Sequence, residues 1–199
     1  MRQKTEQKRD AILAAGKALF LQQGYEKTSM AEVAAKVGGS KATLYSYFSS
    51  KEEIFSAVMQ ASAVKEIAPS FKKLDAHADV AQTLSQFGVN YLYSTLDPEI
   101  LALRRLAQSE AERNDIGRKF FNQGPKIGWQ MVESYLKKLG DSGQLSIDSP
   151  WRATMHLKGL LEAEVLDVCL LGVMPRPDKT ALKVIVDEAL AVFLRAYRL

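Results

Sequence analysis

Residues 28–51 bring together Thr28, Ser29, Lys41, Ala42, Thr43, Tyr45, Ser46, Tyr47 and Lys51. Hydroxyl and ammonium groups in such a run suit recognition: they bond phosphate oxygens and base edges. In a helix over 41–48, a turn of about 100° per residue sets Ala42 and Ser46 opposite the apolar pair Leu44 and Phe48. Thr43 and Tyr45 flank that face. Small side chains at its centre let the backbone approach base edges. Alanine and the threonine methyl suit thymine methyls, and serine or threonine can bond several bases. Lys41 and Lys51 each follow a serine at the start of an expected helix, where the helix dipole favours anions. A phosphate shared by the lysine and the backbone N–H groups removes that conflict. A small, polar surface helix without a ligand would carry the same face; the two lysines favour DNA.

The elements that present these residues are legible nearby. Met30, Val33, Ala34 and Val37 follow the i, i+3, i+4, i+7 spacing of one buried helical face. Ser29 and Glu32 have capping-box spacing, Gly38-Gly39 breaks the chain, and Ser40 caps the next helix. A further helix starts at Ser50-Lys51-Glu52-Glu53 and carries Ile54, Phe55, Val58 and Met59, until Pro69 kinks or ends it. Before these, a first helix runs from about Thr5 to Gln23, with Gly24 at its end. Ile12, Leu19, Phe20, Val33, Leu44, Phe48 and Phe55 are expected to form one small core. This is a helix-turn-helix at about 29–48 within a DNA-binding domain of residues 1–50, followed by a second domain over 51–199.

Gly24-Tyr25, Thr28-Ser29 and the run Gly38-Gly-Ser-Lys-Ala-Thr-Leu-Tyr-Ser-Tyr-Phe-Ser-Ser-Lys-Glu52 resemble the N-terminal domain of the tetracycline-repressor (TetR/AcrR) family over about residues 8–60. Leu103–Arg113 and Phe120-Phe-Asn-Gln-Gly-Pro125 are similar to the AefR-like branch. The resemblance implies an all-α homodimer that binds an inverted-repeat operator and is released by a small molecule. By position, Thr43 and Ser46 would face bases or nearby phosphates. Ser29, Tyr47 and Lys51 would grip phosphates; Thr28, Lys41, Ala42 and Tyr45 fall in the same footprint. The chain departs from the family at the turn, which usually reads Gly-Val-Ser. Gly39 removes that buried valine and is expected to loosen the turn.

Charge agrees with this division. Residues 1–51 hold nine Lys/Arg and four Asp/Glu, a net of +5; residues 52–199 hold 18 and 19, a net of −1. The positive excess therefore sits at the DNA-facing end. Arg2, Lys4, Lys8 and Arg9 cluster at the N-terminus, either as an arm reaching DNA or as a solvated end. With 47% hydrophobic and 25% charged residues, the 199-residue chain reads as a soluble globular protein. No apolar run has membrane-spanning length, there is no signal-peptide apolar region, and the lone Cys169 excludes an intrachain disulfide. Cytoplasmic location and no membrane partner are expected.

The remainder reads as helices over about 79–96, 98–113, 116–139 (interrupted at Gly124-Pro125), 151–171 and 179–197, with a loop over 140–150 and no sustained strand alternation. The fold class is all-α: a three-helix N-terminal domain and a C-terminal helical domain for ligand binding and dimerisation. Phe71, Phe87, Tyr91, Phe121, Trp129, Trp151 and His156 are candidates for an effector pocket, against ordinary core packing. The last two helices differ: that over 151–171 is apolar over much of its circumference, and that over 179–197 carries an apolar stripe of Leu182, Ile185, Val186, Ala189, Leu190, Phe193 and Leu194. Leu157, Leu160, Leu161, Leu190, Phe193 and Leu194 are candidates for an isologous interface with a second copy, against a purely internal hairpin.

Catalysis is not expected. His77 sits in the loop-like Asp75-Ala-His-Ala-Asp79, His156 has no partner in sequence, and no zinc pattern, phosphate loop or nucleophile elbow occurs. No metal or cofactor is anticipated. The partners expected are an operator duplex, a small apolar or aromatic effector and a second copy. A helical small-molecule-binding or catalytic protein with a vestigial helix-turn-helix is the alternative.

Overall fold

The computed structural model describes residues 2–112 and 115–198, with side chains from Thr5 onward. Arg2 and Lys4 of the basic cluster are outside the described side chains. Among the described residues there are helices, turns and loops but no strand. The order begins α1 (Arg2–Lys27), α2 (Met30–Val37), α3 (Lys41–Tyr45) and α4 (Lys51–Ser62). A wide helical turn, Ala63–Ile67, leads into α5 (Ala68–Phe71). Then come α6 (Val80–Thr95), α7 (Pro98–Ser109), α8 (Ile116–Gln123), α9 (Pro125–Asp141), α10 (Pro150–Glu162), α11 (Leu166–Leu170) and α12 (Lys179–Ala196).

Two compact units result: Met1–Ser62 with Ala102–Gly124, and Ala63–Leu101 with Pro125–Leu199. They do not divide at 50/51. The three helices before residue 50 are too small to close a core alone, and α4 supplies Ile54, Phe55, Val58 and Met59 to it. Leu103, Ala107 and Ile116 join the same cluster from 102–124. All seven expected core residues, from Ile12 to Phe55, are in it.

α1 breaks at Gly24 (φ 84°, ψ 168°), the position expected to end it. α3 is shorter than the span 41–48; Ser46 and Tyr47 turn out of it while Phe48 N–H still bonds Leu44 O at 3.0 Å. Pro69 stands at the start of α5, just after the wide turn: proline has no N–H to give the preceding turn. The single helix expected over 151–171 is two, α10 and α11. The chain turns after Glu162, a buried carboxylate that receives both the Tyr91 hydroxyl and the Lys158 ammonium.

In the second unit, α6, α9, α10 and α12 surround a core of Leu84, Phe87, Tyr91, Trp129, Leu136, Leu157, Leu161, Val186 and Phe193. Gly128 is needed there: a β-carbon on it would lie 2.8 Å from the Phe71 ring. The loop before α12 is pinned by Arg176, which bonds Asp97 at 2.9 Å and lies 4.1 Å over the Tyr93 ring.

The two turn glycines differ. Gly38 is left-handed (φ 67°, ψ 40°), and its N–H bonds Ala34 O and Ala35 O. Gly39 has no positive φ and ordinary space around a β-carbon. Gly38→Ala should lower stability by about 1–2 kcal/mol. Gly39→Ala should raise it by about 0.4–1 kcal/mol, because the unfolded chain loses freedom. Paired denaturant titrations check both; equal signs would contradict this assignment.

Candidate nucleic-acid interface

Each face of α3 follows from one buried anchor. Leu44 is 2% exposed and Phe48 equally covered, while Lys41, Ala42, Thr43 and Ser46 are exposed and Tyr45 is 53% exposed. A five-residue helix is marginal by itself. Here Ser40 caps it: Thr43 N–H donates to Ser40 Oγ at 3.1 Å, and the two hydroxyls lie 2.9 Å apart. The Ser46 hydroxyl closes the other end on Thr43 O at 2.7 Å. Arg9 lies 5.4 Å over the Phe48 ring. The expected recognition face thus stands together on the surface.

α2 is held by the full capping box. Ser29 N–H donates to Glu32 Oε2 at 2.8 Å, and Glu32 N–H returns to Ser29 Oγ at 3.3 Å. Gln23, not anticipated, donates to Glu32 Oε1 at 3.2 Å. The Ser29 hydroxyl, then Gln23 and the Ser29 backbone, hold the Glu32 carboxyl below its ordinary range.

Three assigned residues are placed differently from the rest. Thr28 is 2% exposed and donates its hydroxyl to Gly24 O at 2.8 Å. It fastens the chain after the α1 break and does not face outward. Tyr47 is half-buried against the core. Lys51 donates to Tyr25 O at 2.8 Å and Glu26 O at 3.3 Å, with its ammonium 4.2 Å over the Tyr25 ring. Two of its three donors therefore tie α4 to the end of α1. Tyr25 packs with Phe20 and Phe55, and burial, with Glu52 beside it, holds its phenol well above the ordinary value.

The effector candidates separate. Phe71, Phe87, Tyr91 and Trp129 form one cluster in the second unit, every pair within ring-centroid distances of 4.9–6.0 Å. Tyr91 connects that cluster to Glu162 and Lys158. The Lys158–Glu162 spacing of four was visible in the sequence; the link to Tyr91, 71 positions away, was not. Phe121 lies in the first unit and is exposed. Trp151 is exposed, and His156 is on the surface, its Nδ1 2.7 Å from the Tyr197 hydroxyl.

The interface candidates also separate. Leu157, Leu161, Leu190 and Phe193 are core residues of their own unit, each at most 3% exposed. Leu160 and Leu194 are half-buried.

Little else is arranged for chemistry. His77 is exposed in a loop, and burial raises the Cys169 thiol pKa. Among the described residues, no three His, Cys, Asp or Glu side chains are grouped to hold a metal, and no helix is long and apolar enough to cross a membrane.

Two short helices joined by a left-handed glycine, the second exposing a small polar face on a capped and anchored backbone, define a helix-turn-helix DNA-binding protein. Residues 12–58 match bacterial regulatory proteins of the tetR family, and residues 82–199 match the AefR-like transcriptional repressor C-terminal domain. The chain belongs to the AefR-like branch of the tetR family of transcriptional regulators. Its structure is similar to a TetR-family regulator from Mesorhizobium loti (29% identity, 96% of this chain and 97% of that one, TM-score 0.85). It is also similar to the flavonoid-responsive regulator FrrA (27% identity, the same coverages, TM-score 0.82). The HTH-type transcriptional activator FasR of Mycolicibacterium smegmatis is 40% identical over 55 residues, 28% of this chain and 25% of that protein. The chain therefore spans about a quarter of that relative's length. These relatives are transcriptional regulators.

Proposed function

We propose that the protein is a cytoplasmic repressor that binds an inverted-repeat operator as a homodimer and is released by a planar apolar or aromatic effector. The observation that carries the DNA reading is the exposed face of α3 around Thr43. Thr43 and Ser46 read bases or adjoining phosphates; Ser29, Lys41, Tyr45 and Tyr47 grip the backbone. Lys51 has a third donor for a phosphate while its other two hold α1. The description of residues 82–199 as a repressor domain supports repression.

For the second copy, the outer face of the last helices is the support. Gly159 on α10 has no atom within 4 Å of a β-carbon placed on it, and Leu160 beside it is half-buried. Val184 and Val192 on α12 are 58% and 51% exposed. This face, and not Leu157, Leu161, Leu190 or Phe193, is free to meet its copy. For the effector, the four-ring cluster with Glu162 at its edge is the support. The rings pack on one another, so an apolar or aromatic ligand enters by parting them next to the Tyr91–Glu162–Lys158 cluster; the similar FrrA is named as flavonoid-responsive.

Thr43→Ala should cost specific binding about 1–3 kcal/mol more than non-specific binding. Lys51→Ala should weaken binding to every sequence, reduce the salt slope by about one unit per subunit, and lower the melting temperature through the lost carbonyl bonds. Gel shifts over a salt series on operator and random duplexes check this. Equal losses on both DNAs in both variants would leave Thr43 as a phosphate contact.

Replacing Val184 and Val192 together with glutamate should give folded monomers in sedimentation, with operator binding collapsed. A folded dimer would move the interface elsewhere.

With Trp151→Phe, Trp129 becomes the sole tryptophan. A flavonoid or similar planar aromatic should then change its fluorescence and weaken operator binding at fixed salt. Binding signals without loss of operator affinity would sink the coupling; no signal would sink the site.

A further inference from the structure

We propose that Lys8 is a positioning residue for the recognition helix, holding the α2–α3 turn in place of the side chain that Gly39 lacks. The inference rests on reading α3 as the helix that meets DNA. The last turn of α2 uses Gly38 and Gly39 N–H groups on Ala34 O and Ala35 O, so these do not cap Val37 O. A cation is favoured at that end of a helix. Lys8, one helix away on α1, supplies it: its Nζ donates to Val37 O at 3.3 Å.

The same side chain covers Gly39. A β-carbon on Gly39 would sit 3.6 Å from Lys8 Nζ and 3.8 Å from its Cε, an ordinary van der Waals distance. Lys8 also lines, with Ile12, Ala34, Val37, Ser40 and Thr43, a shallow hollow at the junction of the three helices. Ser40 caps α3 and Thr43 stands on it, so the lysine braces the turn that sets the angle of α3. The backbone of Gly39 has no positive φ, so nothing in the turn itself demands glycine there. The packing a valine would supply from within the turn comes instead from α1. The two solutions are alternatives, and Lys8 and position 39 are therefore coupled.

The test is a double-mutant cycle on the full chain: Lys8→Ala, Gly39→Val and both together, with Lys8→Met retaining the stem. Operator affinity over a salt series is read beside amide exchange of residues 41–46 in free protein. Lys8→Ala should weaken specific binding about three- to tenfold, as loss of a helix cap would, with an unchanged salt slope and faster exchange in α3. Gly39→Val should restore most of both in the Lys8→Ala background and change little alone. Lys8→Met should fall between, with the same slope. A slope lower by about one unit per subunit, with no rescue by valine, would make Lys8 a phosphate contact and overturn the proposal. Unchanged exchange and affinity in Lys8→Ala would overturn it too. The exchange readout needs no DNA, so failure of the DNA reading itself, seen as no operator binding by the wild type, is distinguishable.

Discussion

A helix of five residues cannot hold its own shape in water, because the nucleus costs more than so few hydrogen bonds return. Everything about α3 therefore depends on its attachment. Leu44 inserts into the core of the first unit, and full burial of such a side chain contributes about 1.5–3 kcal/mol. Ser40 supplies the cap, and Phe48 anchors the exit. These contacts all lie on one side, which leaves the opposite side free to carry Ala42, Thr43 and Ser46. The recognition face is what remains when the anchors have been satisfied.

The same constraint explains why the first unit is larger than a three-helix domain. The first three helices alone bury too little apolar surface, and α4 with the segment 102–124 completes the core. Tyr25, Phe55 and Lys51 fasten α4 to the broken end of α1, with the lysine bonding the Tyr25 and Glu26 carbonyls that follow the Gly24 break. A residue read as a DNA contact thus also has an internal task. Thr28 goes further: its hydroxyl is committed inside.

In the second unit the rings of Phe71, Phe87, Tyr91 and Trp129 fill the space between α5, α6 and α9, and the close approach at Gly128 lets Phe71 join them. The buried Glu162 at their edge is stabilised by the Tyr91 hydroxyl and the Lys158 ammonium, as a desolvated carboxylate must be. Its position beside the break between α10 and α11 joins a polar requirement to a change of chain direction.

By itself the sequence determined what is local. The Ser29–Glu32 box, the Ser40 cap, the Gly38 turn and the apolar spacing of α2 involve residues at most seven apart, so their types and order suffice to predict them. The small core from Ile12 to Phe55 followed from that periodicity. Only the tertiary structure decided what depends on residues distant in the chain: that Thr28 points inward, that Lys51 reaches Tyr25 and Glu26, and that Tyr91 meets Glu162. Periodicity marked the broad apolar face over 151–171 and the stripe over 179–197, but neighbours alone committed Leu157, Leu161, Leu190 and Phe193 to the core of their own unit instead of a surface open to a second copy. Gly39 shows the division most plainly. Its missing side chain stood out only against the Gly-Val-Ser turn that the family resemblance implies, and the lysine that lies over it comes from 31 positions earlier, where no spacing rule reaches.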